Sequence, residues 1–179
     1  LLGFPVSLWD VDPQRVEDLR KTNRMVVSGA VTGECEIPLV TGNIGEAVEG
    51  ADIIMMVIPT VYQRSTVKAM APYLKDGQAL VLNPGATGGA LEARATLEEE
   101  GCSAQVLVAE TDTLLYACRS PKPGEAIIGG IKDGLSLAAL PAKDTPQVLE
   151  RLNQAFPQFK AVSSVLITSL NNANAMMHP

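Results

Sequence analysis

One histidine occurs in this chain, His178, and it lies in the closing stretch LNNANAMMHP. Asn171, Asn174 and His178 recur at i, i+3 and i+7, the spacing of a single helical face. A neutral imidazole, with an ordinary pKa of about 6.5, can give or take a proton at a carbonyl or an imine. The same spacing fits a helix terminus with a satisfied histidine, since no partner for the ring is visible in the sequence.

Other residues have the types needed to hold a ligand. Asp10 closes the apolar stretch of PVSLWDVD, where an acid can accept hydrogen bonds from ribose hydroxyls; a surface acid at a strand end is the plain alternative. Arg15, about one helical turn later, could meet an adenine face or a 2′-phosphate, or could simply be solvated. In VIPT, Ile58 and Pro59 end a strand with backbone turned toward the crevice where open α/β folds bind ligands, or form an ordinary strand-to-helix turn.

NPGATGGALE is richer. Asn83 opens it, and Gly85 and Gly88 let the backbone approach a ligand closely around Thr87. The helix that follows could offer N–H groups to an anion, although no lysine follows to make a phosphate-binding loop. In ETDTLLYACRS, Thr113 and Cys118 either share a crevice or belong to a strand–turn–strand with a buried cysteine. No base beside Cys118 would activate it as a nucleophile.

Alternating elements position these residues. A short strand over 5–12 leads through Asp12 and Pro13, a good cap and first turn, into a helix over 14–21. Short strands follow at 25–29 and 38–42 around a Gly-containing loop, then a short helix at 44–51. ADIIMMVIP (51–59) suits a strand buried on both faces, followed by a helix over 63–74 and a strand over 78–83. A helix over 90–101 ends at Gly101. Strand-like pieces QVLVAET, TLLYACR, EAIIGGIK and LSLAALP come next, then helices over 144–157, begun by Asp144, Thr145 and Pro146, and over 163–177, opened by Ser163. Strand–helix alternation followed by strand after strand predicts an α/β fold, a Rossmann-like doubly wound mixed sheet.

Composition narrows the function. The 179 residues carry 46% hydrophobic residues and a net charge of −6 with no basic block, which argues against nucleic acid and anionic membrane surfaces as partners. The longest apolar run is too short to span a bilayer. Three cysteines (Cys35, Cys102 and Cys118) without a CxxC pair, and a single histidine, indicate neither a disulfide framework nor a metal site, and fit a reduced, cytoplasmic setting.

Together LWDVDPQRV, VIP, LNPGATGGALE, LLYACRS, ALPA and above all TSLNNANAMMHP resemble the opine dehydrogenases, the octopine/nopaline dehydrogenase family. The resemblance covers essentially the whole chain. It implies an oxidoreductase that condenses an amino acid with a 2-oxo acid such as pyruvate and reduces the imine with NADH or NADPH, with a homodimer as an allowed assembly. It implies that His178 is catalytic, and that Asp10, Arg15, Ile58, Pro59, Asn83 and Gly85 line the cofactor site. Thr87, Gly88, Thr113, Cys118 and Asn174 would lie around the substrate.

The pattern also departs from the family. The family's first strand and GxGxxG turn and its helical second domain are not among these 179 residues, so the chain is expected to be a fragment of a longer protein. The expected organisation is therefore a nucleotide-binding domain over 1–162 and, over 163–179, an interdomain helix that begins the substrate domain. A fragment so cut is expected to be inactive and unstable alone. Glycerol-3-phosphate dehydrogenase and ketopantoate reductase share the general layout, so another reductase of that type is the second reading. A non-catalytic nucleotide-binding module is the third.

Overall fold

The computed structural model describes residues 2–172. The elements run β1 (Ser7–Trp9), α1 (Pro13–Thr22), β2 (Arg24–Gly29), β3 (Gly33–Glu36), β4 (Leu39–Thr41), α2 (Ile44–Val48), β5 (Ile53–Met56) and α3 (Gln63–Met70). They continue with β6 (Ala79–Leu82), α4 (Gly89–Glu99), β7 (Leu107–Thr111), β8 (Tyr116–Arg119), β9 (Glu125–Ile131), β10 (Leu135–Leu140), α5 (Thr145–Leu152), β11 (Phe159–Ala161) and α6 (Val165–Leu170). The chain divides into two compact units, one of residues 1–49 with 116–132 and one of residues 50–115 with 133–179.

In the first unit, Asp12 caps α1 by accepting the Gln14 N–H, and Pro13 sits in the first turn. Asn23 ends the helix at φ 52°, and its N–H returns to the Leu19 carbonyl. Val16 and Leu19 face inward, where Ile37 and Val40 join them in a small core. Arg20 lies along the same side and donates to the Val40 carbonyl. β1 pairs with β4 in parallel. A second sheet has the order β3-β2-β9-β8. The Gly-containing loop expected between two strands therefore holds a strand of its own, β3, which folds back antiparallel on β2. On α1, Lys21 donates to Asp18 at 2.7 Å. That bond lowers the Asp18 pKa, with Gln14 adding to it, and raises that of Lys21. The stabilisation held by Asp18 is present above the ordinary carboxylate range and fades as pH falls through the lowered value.

The second unit is built on one mixed sheet of order β11-β10-β7-β6-β5. β5, β6 and β7 are mutually parallel, β10 is antiparallel to β7, and β11 is parallel to β10. β6 and β7 are buried along their whole length. β5 stands at the edge of this sheet and is only half-buried, unlike the expectation that its apolar run lies buried on both faces. Val67 and Met70 of α3, Ala93 and Leu97 of α4, and Val148 and Leu152 of α5 close the core. α5 ends at Leu152, short of the expected 157, because the chain turns there to deliver β11. α6 begins one residue later than Ser163 suggests, since it is Ser164 whose side chain accepts the Leu166 N–H. Asn171 is its C-cap, and the rest of the helix expected to 177 lies outside the described residues.

Parallel strands carry their carboxyl ends to one edge of the sheet. After β5 come Val57–Thr60, after β6 the turn from Asn83 to Gly88, and after β7 the loop from Asp112 to Leu114. The sheet core that sets this edge is testable. Leu80 is fully buried in β6, so Leu80→Ala should lower stability by about 2–5 kcal/mol, read as a lower urea midpoint with an unchanged m-value.

Candidate functional site

Glu110 is 0% exposed near the end of β7, on the sheet face covered by α4 and α6. A buried carboxyl group is costly unless it is hydrogen-bonded. Glu110 accepts from the Ala90 N–H at 2.7 Å, the Ser169 hydroxyl at 2.7 Å and the Thr168 hydroxyl. Ser169 in turn accepts the Gly88 N–H at 3.0 Å. Two N–H groups at the start of α4 are thus satisfied from within, so the helix does not offer them to an external anion.

The same network shapes the turn after β6. A Cβ at Gly85 would lie 2.5 Å from the Glu110 side chain, so glycine lets the turn close over the buried carboxyl. Ala86 takes φ 54°, in the left-handed region, a conformation costing an L-residue about 1–2 kcal/mol. Thr87 donates to the Ser169 carbonyl at 3.3 Å and accepts from Asn172. Asn171 reaches Asp112 at 2.8 Å. Loop, strand end and the exit of α6 form one hydrogen-bonded assembly.

Beside it, at the carboxyl ends of the parallel strands, lies a cleft of about 310 Å³ lined by Val57, Ile58, Pro59, Thr60, Asn83, Pro84 and Leu114. Its lining is mostly apolar, with Thr60 and Asn83 as the polar residues. Asn83 is held by Thr111, whose hydroxyl lies 3.0 Å from the amide and 2.9 Å from the Thr113 carbonyl. A second cleft of about 320 Å³ lies by Asp52, Lys75, Gln78 and Arg151, next to the start of β5 and β6. There Arg151 ties down the Gly77 and Asp52 carbonyls, a structural task. In open α/β sheets ligands bind at the carboxyl ends, so the cleft by Asn83 is the candidate site.

The expected residues fall in both units. Ile58, Pro59 and Asn83 share the cleft. Thr113 joins through its carbonyl beside Thr111. Gly85, Thr87 and Gly88 belong to the turn held by Glu110 and Ser169. Asp10, Arg15 and Cys118 belong to the other unit. Asp10 accepts the Asp12 N–H at 2.9 Å, and the exposed Arg15 lies 3.8 Å from Asp10 and 3.7 Å from Asp12. Cys118 is a free, exposed cysteine on β8. Asn174 and His178 lie outside the described residues. Glu110, Thr168 and Ser169 had no chemical signature in the sequence. The one available hint was an acid in the otherwise apolar VLVAET.

Known proteins resemble this chain. The model of the family described as NAD-dependent glycerol-3-phosphate dehydrogenase N-terminus matches residues 2–100, and the chain belongs to that family of NAD-binding domains. Within that class it is similar to the opine dehydrogenase of Arthrobacter sp. (strain 1C), 41% identical over 180 residues that cover 100% of this chain and 50% of that protein. It is also similar to octopine dehydrogenase solved with NADH and L-arginine, with a TM-score of 0.82 and 22% identity over 97% of this chain and 46% of that one. Yersinopine dehydrogenase solved with NADP+ has a TM-score of 0.76 and 15% identity over 98% of this chain and 46% of that one. The fold is the Rossmann-like mixed α/β fold expected from the sequence. The chain spans about half the length of the curated opine dehydrogenase it matches.

The contact between Gly85 and Glu110 makes a specific prediction. Gly85→Ala should cost about 1–3 kcal/mol by overpacking, and less in a Glu110→Gly background, where the Cβ, Cδ and Oε2 atoms it would meet are all gone. A double-mutant cycle by urea unfolding should show a coupling of roughly 0.5–3 kcal/mol; strict additivity would place the two groups apart.

Proposed function

We propose that this chain is the cofactor-binding half of an opine dehydrogenase, which joins an amino acid to a 2-oxo acid such as pyruvate and reduces the imine with NADH or NADPH. The supporting observation is the 41% identity to an opine dehydrogenase along 100% of this chain. The glycerol-3-phosphate dehydrogenase of Lactobacillus delbrueckii subsp. bulgaricus matches 44% of the chain.

The residues of the cleft fit a nicotinamide. Val57, Ile58 and Pro59 give an apolar wall for a flat ring, and the Asn83 carboxamide supplies a fixed polar contact. When bound, the cofactor supplies the hydride. The amino nitrogen and the keto carbon first form a C=N bond with loss of water. A hydride delivered to that carbon, with a proton to the nitrogen, would leave a secondary amine; Ile58, Pro59 and Asn83 would hold the nicotinamide beside it. Apolar walls limit water around the reacting atoms.

His178 is proposed as the acid/base at the carbonyl or imine, with Asn174 near the substrate. Asp10 is proposed for the adenosine ribose, with Arg15 beside it, and Thr87, Gly88, Thr113 and Cys118 for the substrate side. Residues 1–162 would form the nucleotide-binding domain, and 163–179 the start of the substrate domain. The apolar side chains of Leu166, Ile167 and Leu170, exposed on α6, suit a segment that continues into further protein.

The second reading, a glycerol-3-phosphate dehydrogenase, has the family description in its favour. Substrate panels separate the two. The complete protein should oxidise NADH or NADPH with an amino acid plus pyruvate, and not with dihydroxyacetone phosphate; the reverse result selects the second reading. His178→Ala in the complete protein should lower kcat about 10²–10⁴-fold while the NADH Kd stays within twofold, measured by stopped-flow absorbance and fluorescence titration. An unchanged kcat would remove the histidine from the chemistry.

A further inference from the structure

We infer that Thr111 locks the Asn83 carboxamide with its carbonyl oxygen toward the cleft, so that the site accepts a hydrogen bond from a ligand N–H. The inference deepens the proposed function and rests on it for the nature of the ligand.

The argument is one of hydrogen count. The two ends of a carboxamide have the same shape, so their partners decide which end faces which way. Thr111 has one hydroxyl hydrogen. Its oxygen lies 2.9 Å from the Thr113 carbonyl, which can only accept. It lies 3.0 Å from the inner end of the Asn83 amide, the position of Oδ1. With oxygen at that inner position, one hydrogen would face two acceptors, and one close oxygen pair would go unbonded in a buried setting. Turning the amide over removes the conflict. The Asn83 NH2 then donates to Thr111 Oγ1, and Thr111 donates to the Thr113 carbonyl. Every group at Thr111 is used once.

The outer end of the amide has no hydrogen bond to any described residue, and Asn83 lines the cleft. Asn83 is 7% exposed, and its backbone N–H is fixed to the Met56 carbonyl at 2.9 Å. Burial and the Thr111 contact hold the amide in this place. An outward carbonyl oxygen, among the apolar side chains of Val57, Ile58, Pro59 and Leu114, selects an N–H donor over a keto oxygen or a carboxylate. Two donors meet that description: the carboxamide N–H of the nicotinamide ring, and the nitrogen of the amino-acid substrate. Thr111 is then a positioning residue that sets the polarity of the contact.

The test uses the complete protein, NADH, and the reduced 3-acetylpyridine analogue, in which a methyl group replaces the amide nitrogen. If the cofactor supplies the donor, the wild type should bind NADH about 2- to 10-fold more tightly than the analogue, and Asn83→Leu should bind both equally. If the substrate supplies it, Asn83→Leu should raise the KM of the amino acid by a similar factor and leave that of the oxo acid unchanged. In either case Thr111→Val, which frees the amide to turn, should move the same ratio part of the way, and Thr111→Ser should restore it. A rise confined to the oxo-acid KM would show that the NH2 points outward and would overturn the inference. So would a wild type indifferent to the analogue whose Asn83→Leu variant has unchanged KM for both substrates. Failure of the wild type to bind NADH at all would instead defeat the nicotinamide reading, and this inference with it.

Discussion

The local structure turns on the burial of Glu110. Its carboxyl group lies in the interior, and its satisfaction demands an N–H from the start of α4 and two hydroxyls from α6. Each demand fixes a piece of backbone. Gly85 must lack a side chain, the turn after β6 must fold over β7, and Thr168 and Ser169 must stand side by side on α6. Replacing Glu110 itself with an apolar residue leaves the buried Ala90 N–H without its acceptor, at about 1–3 kcal/mol. The strand ends and the exit of α6 are therefore set by one buried acid. The Asn83 cleft inherits its shape from that arrangement, because Asn83 and Pro84 open the turn that Glu110 holds shut.

Much of the fold was readable from local rules. Asp12-Pro13 marked the start of α1, and a glycine at φ 66°, Gly101, follows α4. The alternation of apolar runs with helical spacing named the parallel strands and the covering helices. Where the reading slipped, the causes are physical. β3 (GECE) has two glutamates and a glycine, so its sequence looks like a loop, and only pairing with β2 makes it a strand. β5 is as apolar as a central strand yet stands at the edge of its sheet, because position in a sheet depends on partners far away in the chain. Ser163 and Ser164 are equal candidates as caps, and only backbone geometry separates them.

The candidate site was legible in part for the same reason. Glycine, proline and asparagine in a turn signal close backbone approach, so Asn83 and Gly85 stood out. Glu110 did not, since a single acid in a strand reads as surface until the fold buries it. Asp10, Arg15 and Cys118 fold with one unit, Asn83 and Thr113 with the other. Fold alone does not name a reaction. The choice among reactions falls to the side chains that line the site, here mostly apolar with Thr60 and Asn83 as polar members.

Hydrogen exchange on the complete protein, with and without NADH, tests the central claim most directly, namely that the cofactor binds at the strand carboxyl ends by Asn83. Peptides covering residues 57–62 and 82–88 should gain protection, and those covering 75–78, beside the cleft that Arg151 bridges, should not. Protection at 75–78 with none at 57–62 or 82–88 would place the cofactor at the wrong edge of the sheet and contradict the account.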